Sequence, residues 1–168
     1  MELWDIYDEN GNLTGKTKPK GSPMEPGEYH LSMEAWIMNS EGKILLQLRA
    51  PGCDILPNTW SLTTGRMIAG EDTLQGCIRE LKEELGVTVK KEDITFLRRL
   101  IRRSRGLLWD AYLVRADIPL EALKLQEEEV SEASWITLEE YQQKVLEGAV
   151  FAHPESLEIA ETLKNFRP

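Results

Sequence analysis

Gly65-Arg66-Met67-Ile68-Ala69-Gly70-Glu71-Asp72-Thr73-Leu74-Gln75-Gly76-Cys77-Ile78-Arg79-Glu80-Leu81-Lys82-Glu83-Glu84-Leu85-Gly86-Val87 is the stretch on which the fold turns. Its spacing predicts a helix from about Asp72 to Leu85. Asp72, with Gln75 three residues later, can cap the start, and Gly86 can end the helix in the left-handed conformation. At about 100° per residue, Leu74, Ile78, Leu81 and Leu85 share one stripe, the face turned to a core. Glu80, Glu83 and Glu84 fall on another face, roughly 135° away on the same wheel. Three carboxylates so placed repel one another unless positive charge sits among them. Arg79 lies beside Glu83 and offsets one charge; a hard divalent cation, which prefers oxygen ligands, would offset the rest. An E-x-x-E-E pattern alone also describes a solvated acidic helix face, so the flanking sequence has to decide.

The segments on either side read mostly as strands. Residues 2–8 alternate in strand fashion, Asn10-Gly11 is a two-residue hairpin signal, and Leu13 to about Thr17 forms the return. A loop rich in Pro, Gly and Lys runs to Glu28, setting off an N-terminal hairpin extension (residues 1–28) from a main body (29–168). The body opens with buried strands at His30–Asn39 and Lys43–Leu48, a loop at Pro51–Pro57 and a short strand at Thr59–Thr63. Beyond the helix, strands are expected at 94–103, 107–115 and 131–137, and helices at about 138–147 and 154–165. Mixed strands with separated helices point to a layered α/β sandwich.

The 168 residues hold 29 acidic against 20 basic side chains, a formal net charge of −9, which argues against duplex nucleic acid as a partner. No apolar run is long enough to span a membrane, and the start lacks the basic flank and apolar stretch of a secretory signal. Cys53 and Cys77 show no metal-binding spacing. These features fit a reducing, cytoplasmic compartment.

Gly65 stands six residues before Glu71, and Glu71 eight before Arg79. With Glu80, Leu81, Glu83, Glu84, Gly86 and Val87, the stretch resembles the Nudix box, G-x5-E-x7-R-E-U-x-E-E-x-G-U, where U is a bulky aliphatic. All nine specified positions match, which arises by chance on the order of once in a billion starting positions. The resemblance to Nudix hydrolases covers roughly residues 30–140. It implies an α/β/α sandwich with a mixed sheet, here carrying the extra hairpin, and hydrolysis of a nucleoside diphosphate derivative with Mg²⁺ or Mn²⁺. By position it makes Glu80 and Glu84 metal ligands, and Glu83 either a ligand or the base that takes a proton from the attacking water. Thr64, where the family commonly has glycine, would offer its backbone carbonyl to the metal. Arg79 would orient the glutamates with Glu71 as its polar partner, while Gly65 and Gly86 shape the box. The family also often brings a glutamate from a loop before the Trp-containing strand; Glu129 matches best, with Glu128 the alternative. Four of the acidic residues behind the negative balance are thus specified by the box, and the resemblance implies that a metal supplies the missing positive charge.

Outside the box, Arg49 at a strand end is the best single candidate for a phosphate contact. Arg98, Arg99, Arg102, Arg103 and Arg105 form a basic cluster that reads either as a phosphate attractor or, for most of them, as a solvated strand edge. The tryptophans read mostly as core, and His153 as surface or packing. The hairpin would serve as a cover for the pocket or as a homodimer contact. Two alternative functions compete. The GEYH motif and the following strand also resemble the isopentenyl diphosphate isomerase branch, whose cysteine is missing from Trp60-Ser61-Leu62-Thr63-Thr64-Gly65-Arg66-Met67. A non-catalytic nucleotide-binding module would normally have lost box glutamates.

Overall fold

The computed structural model describes residues 1–166. A two-stranded antiparallel hairpin, β1 (Leu3–Tyr7) and β2 (Leu13–Pro19), precedes the main sheet. That sheet is built from β3 (His30–Met38), β4 (Ile44–Arg49), β5 (Trp60–Ser61), β6 (Thr63–Arg66), β7 (Ile94–Arg102), β8 (Leu107–Arg115) and β9 (Val130–Ile136). The helices are α1 (Thr73–Leu85), α2 (Leu138–Leu146) and α3 (Ser156–Leu163).

β3 is the axis of the sheet. It pairs in parallel with β8 along its whole length, and β8 pairs antiparallel with the edge strand β7. All nine residues of β3 are buried, because both of its faces are covered. Leu31, Met33, Ala35 and Ile37 meet Cys77, Leu81 and Leu85 of α1 on one face. Trp36 and Met38 meet Tyr141 of α2 and Ile159 and Leu163 of α3 on the other. The result is the helix–sheet–helix sandwich with a mixed sheet and an added hairpin that the sequence leads one to expect.

The feature that makes room for a site is a fork in this sheet. β3 and β4 share a single register pair, Met38 with Ile44, and then diverge. β4 continues between β9 and β5, while β3 takes β6 as its antiparallel neighbour over Ser32–Ala35. Here the single strand expected at Thr59–Thr63 is corrected: it is two strands, β5 paired to β4 and β6 paired to β3, and the second runs on through Gly65 to Arg66. The chain crosses from one tine of the fork to the other at Leu62, a step that local sequence pattern does not encode.

The hairpin docks against the body at several points. Tyr7 and Tyr29 exchange backbone hydrogen bonds, Ala69 N–H donates to the Leu3 carbonyl, and Gly70 N–H donates to the Asp5 carboxylate. Trp4 stacks on His30 with ring centroids 3.9 Å apart. Burial, with the charge of Arg66, pushes the His30 pKa from 6.5 down to about 3. The unfolded chain therefore takes up this proton before the folded one does. The contribution of His30 to stability is complete above about pH 6.5 and is lost as the pH falls toward 3, by up to about 1.4 kcal/mol per pH unit. His30→Gln is accordingly expected to flatten the acid side of the stability profile measured by denaturant unfolding between pH 7 and 4. Parallel profiles for the two proteins would refute this.

Candidate active site

α1 carries the acidic cluster and is fixed at both ends. The Asp72 carboxylate accepts from Gln75 N–H (2.8 Å), the Gln75 side chain accepts from Asp72 N–H (2.9 Å), and Gly86 closes the helix at φ 70°. A cap of this kind contributes about 1 kcal/mol. Burial of Leu81 and Leu85 then sets the rotation of the helix, and with it the direction of the glutamates.

The three glutamates do not share one environment. Glu84 is buried and reaches into the fork, where the Gln47 side-chain amide of β4 donates to it (2.7 Å); the Thr63 hydroxyl in turn donates to Gln47 (2.8 Å). Glu80 packs against Gly65, and Glu83 is exposed. Arg79 ties the group together. Its Nε and Nη2 donate to the two oxygens of Glu71 (2.7 and 2.8 Å), and its Nη1 donates to Glu80 (3.0 Å) and Glu83 (3.1 Å). Nη2 also donates to the Arg66 carbonyl (3.2 Å), and this set of acceptors holds the guanidinium firmly in its charged form.

Burial raises the Glu84 pKa to about 8, with further upward pressure from the charges of Glu80 and Glu129; the bond from Gln47 opposes this. Burial also raises Glu80, against the pull of Arg79. Adjacent buried carboxylates of this kind need a proton or a cation between them. A hard divalent ion therefore fits the chemistry of this donor set. Among the described residues no three acidic, His or Cys side chains already converge in ligating geometry. Arg79 engages one oxygen each of Glu80 and Glu83, so coordination would draw on Glu84, Glu80 and the loop groups opposite them.

Those groups border a common cavity of about 420 Å³. Thr64 on β6, Glu128 and Glu129 on the loop before β9, and Arg49 at the end of β4 all reach it along with Glu80, Glu83 and Glu84. The Glu129 carbonyl is pinned by Ala50 N–H (2.9 Å), while Arg49 Nε donates to the Ile55 carbonyl (2.8 Å). Glu71 and Gly86 lie outside the lining, as partner of Arg79 and terminator of α1. The hairpin contributes Glu2, Trp4 and Lys20 to the wall, so it borders the cavity directly.

Gly65 has a steric reason. A Cβ there would lie 2.5 Å from Cγ and Cδ of Glu80. Gly65→Ala is expected to push Glu80 aside and lower turnover about 10²-fold, the scale of an ångström-size misplacement. Kinetics with a Mg²⁺ titration would show weaker apparent metal affinity; unchanged values would refute the argument.

The arginine cluster of residues 98–105 divides. Arg98 pairs with Glu158, Arg99 with Asp110, Arg102 with Glu155 and Arg103 with Glu9; Arg105 borders the cavity. His153 is buried beside Glu34 (3.8 Å), whose pKa burial raises to about 7. Gln47 and Thr63, which hold Glu84, and Ser32 and Arg66, which border the cavity, belong to the candidate site although no sequence motif marks them. The available signal was a polar residue inside an otherwise buried strand, as with Gln47 in Ile44–Arg49.

A family model described as NUDIX domain matches residues 28–157. The chain is 37% identical over 142 residues to an uncharacterised Nudix hydrolase of Listeria monocytogenes, covering 83% of this chain and 82% of that one. It is 33% identical over 87 residues to an isopentenyl-diphosphate Delta-isomerase of Streptomyces avermitilis, covering 51% of this chain and 44% of that one. A crystal structure from Deinococcus radiodurans superposes with a TM-score of 0.74 at 19% identity, covering 96% of this chain and 99% of the other, a likeness of fold.

Proposed function

The chain belongs to the Nudix family, and we propose that it hydrolyses the diphosphate of a small nucleoside diphosphate derivative with Mg²⁺ or Mn²⁺. The observation that carries this reading is the carboxylate wall of α1. Glu84 is buried against Gln47, and Glu80 and Glu83 are held by Arg79, all facing one cavity. Without a cation such a wall would repel a diphosphate.

Glu80 and Glu84 would hold the ion, with the Thr64 backbone carbonyl and Glu129 completing the set. When bound, it would supply charge neutralisation for the phosphate oxygens and a more acidic water. Arg79 keeps Glu80 and Glu83 in place and carries a fixed positive charge at the edge of the wall. Glu83, exposed and one turn from Arg79, accepts the proton of the attacking water. The water oxygen bonds to phosphorus as the bridging P–O bond breaks, and the departing phosphate carries away the electron pair. Arg49 is the candidate for a contact to the substrate phosphates. The products are a nucleoside monophosphate and the phosphorylated second moiety. Despite the isomerase relative, Trp60–Met67 holds no cysteine to move a carbon-bound proton.

The test is a panel of nucleoside diphosphates, triphosphates, nucleotide sugars and dinucleoside polyphosphates with Mg²⁺. Release of a nucleoside monophosphate, abolished by EDTA, is expected. No metal-dependent release from any member would refute the proposal.

A further inference from the structure

Arg66, Ser32 and Trp109 stand in one row across three neighbouring strands. Arg66 of β6 is the register partner of Ser32 of β3, and Ser32 that of Trp109 of β8. Side chains alternate along a strand, so Arg66 lies on the face of β6 opposite Gly65, the position against which Glu80 packs. The guanidinium is fixed by two uncharged neighbours. Its Nη1 donates to the Ser32 hydroxyl (3.1 Å), and its carbon sits 5.4 Å from the centroid of the Trp109 ring. The Ser32 hydroxyl is itself committed to the Gly65 carbonyl (2.8 Å), which locks the row in place.

Unlike Arg98, Arg99, Arg102 and Arg103, neither Arg66 nor Arg105 forms an ion pair among the described residues. Both border the cavity, Arg66 half-buried within it and Arg105 exposed beside it. A half-buried guanidinium without a counter-ion loses hydration, and the Ser32 hydroxyl and the face of Trp109 replace only part of it. Its geometry suits bidentate capture of a phosphate or carboxylate. Trp109 and Phe151, with ring centroids 6.2 Å apart, form an apolar surface beside it. The cavity thus has two ends of opposite character, the carboxylates of α1 on one face of β6 and a free cation on an aromatic surface on the other.

We propose that Arg66, with Arg105, binds an anionic group of the substrate separate from the diphosphate being cleaved. The substrate class is then a nucleoside diphosphate derivative that bears a further phosphate or carboxylate. This rests on the hydrolase reading given above.

Two matched pairs of ligands differ by one such group: NADPH against NADH for a phosphate, and UDP-glucuronate against UDP-glucose for a carboxylate. Competition kinetics with Mg²⁺ and calorimetric binding in EDTA would be measured on the wild type and on Arg66→Gln. The wild type is expected to favour the anionic member of at least one pair by tenfold or more, and the favoured pair identifies the group. Arg66→Gln is expected to reduce that ratio at least tenfold, with Arg66→Lys intermediate and thermal unfolding confirming that each variant is folded. A ratio below threefold for both pairs would overturn the proposal, as would equal losses on both members, which would assign Arg66 to the shared diphosphate. Absence of any turnover would count against the hydrolase reading, while the binding ratios would still decide the fate of the anion site.

Discussion

Glu84→Gln is expected to lower metal-dependent turnover by about 10³-fold or more, roughly 4 kcal/mol of transition-state stabilisation, while leaving the chain folded. Glutamine keeps the size and shape of the side chain, and its carbonyl can still accept from the Gln47 amide that now donates to Glu84 at 2.7 Å. What disappears is a negative charge in a buried place. Burial and the nearby Glu80 already disfavour that charge in the metal-free protein. The variant should therefore be at least as stable as wild type in EDTA and should gain less on adding Mg²⁺. Thermal unfolding with and without Mg²⁺, beside initial rates, checks both halves. A folded variant with full Mg²⁺-dependent turnover would remove Glu84 from the site.

Arg79→Ala carries the second large effect, and it falls on stability as well as turnover. The guanidinium is the shared partner of Glu71, Glu80 and Glu83 and also caps the Arg66 carbonyl. Glu71 and Glu80 are largely buried, so deleting Arg79 strands their charges in a poorly hydrated place. Breaking a buried pair from one side costs about 3–5 kcal/mol; with Arg79 partly exposed, a loss of about 2–3 kcal/mol is expected. Turnover should fall about 10²-fold or more, because Glu80 and Glu83 lose their common anchor. Arg79→Lys should not restore it, since an ammonium cannot span both Glu71 oxygens and still reach Glu80. Denaturant unfolding and steady-state rates provide the measurements. A change below about 0.5 kcal/mol, the ordinary scatter for surface substitutions, would refute the argument.

Much of the fold was legible because it is written in short-range signals. The cap at Asp72–Gln75, the left-handed Gly86 and the apolar stripe ending in Leu81 and Leu85 all act within one or two turns of their own helix. The strands from Ile94 to Ile136 and the helices after them were likewise carried by local period. The division between β5 and β6 was not, because it depends on which neighbour each half finds, β4 or β3. The same reason explains what a helical wheel left unseen in the acidic cluster. It groups Glu80, Glu83 and Glu84 on one side, whereas the fork buries Glu84 against Gln47, thirty-seven residues away in sequence, and leaves Glu83 exposed. Arg66 escaped for the same kind of reason, while His153, expected at the surface or in packing, is packed on Trp109 and Phe151. The partners of Arg66, Ser32 and Trp109, come from strands distant in the chain.

The docked hairpin bears on how a minimal fragment of this protein should be cut. The family match begins at residue 28, and a truncation there would look natural on an alignment. Such a cut would strip the indole from His30, remove the acceptors at Leu3 and Asp5 that hold Ala69 and Gly70, and take Trp4 and Lys20 out of the cavity wall. The segment leading into α1 would lose its outer support and the pocket one of its sides. A library aimed at new substrates would do better to randomise the hairpin in place, treating it as a replaceable panel of the pocket.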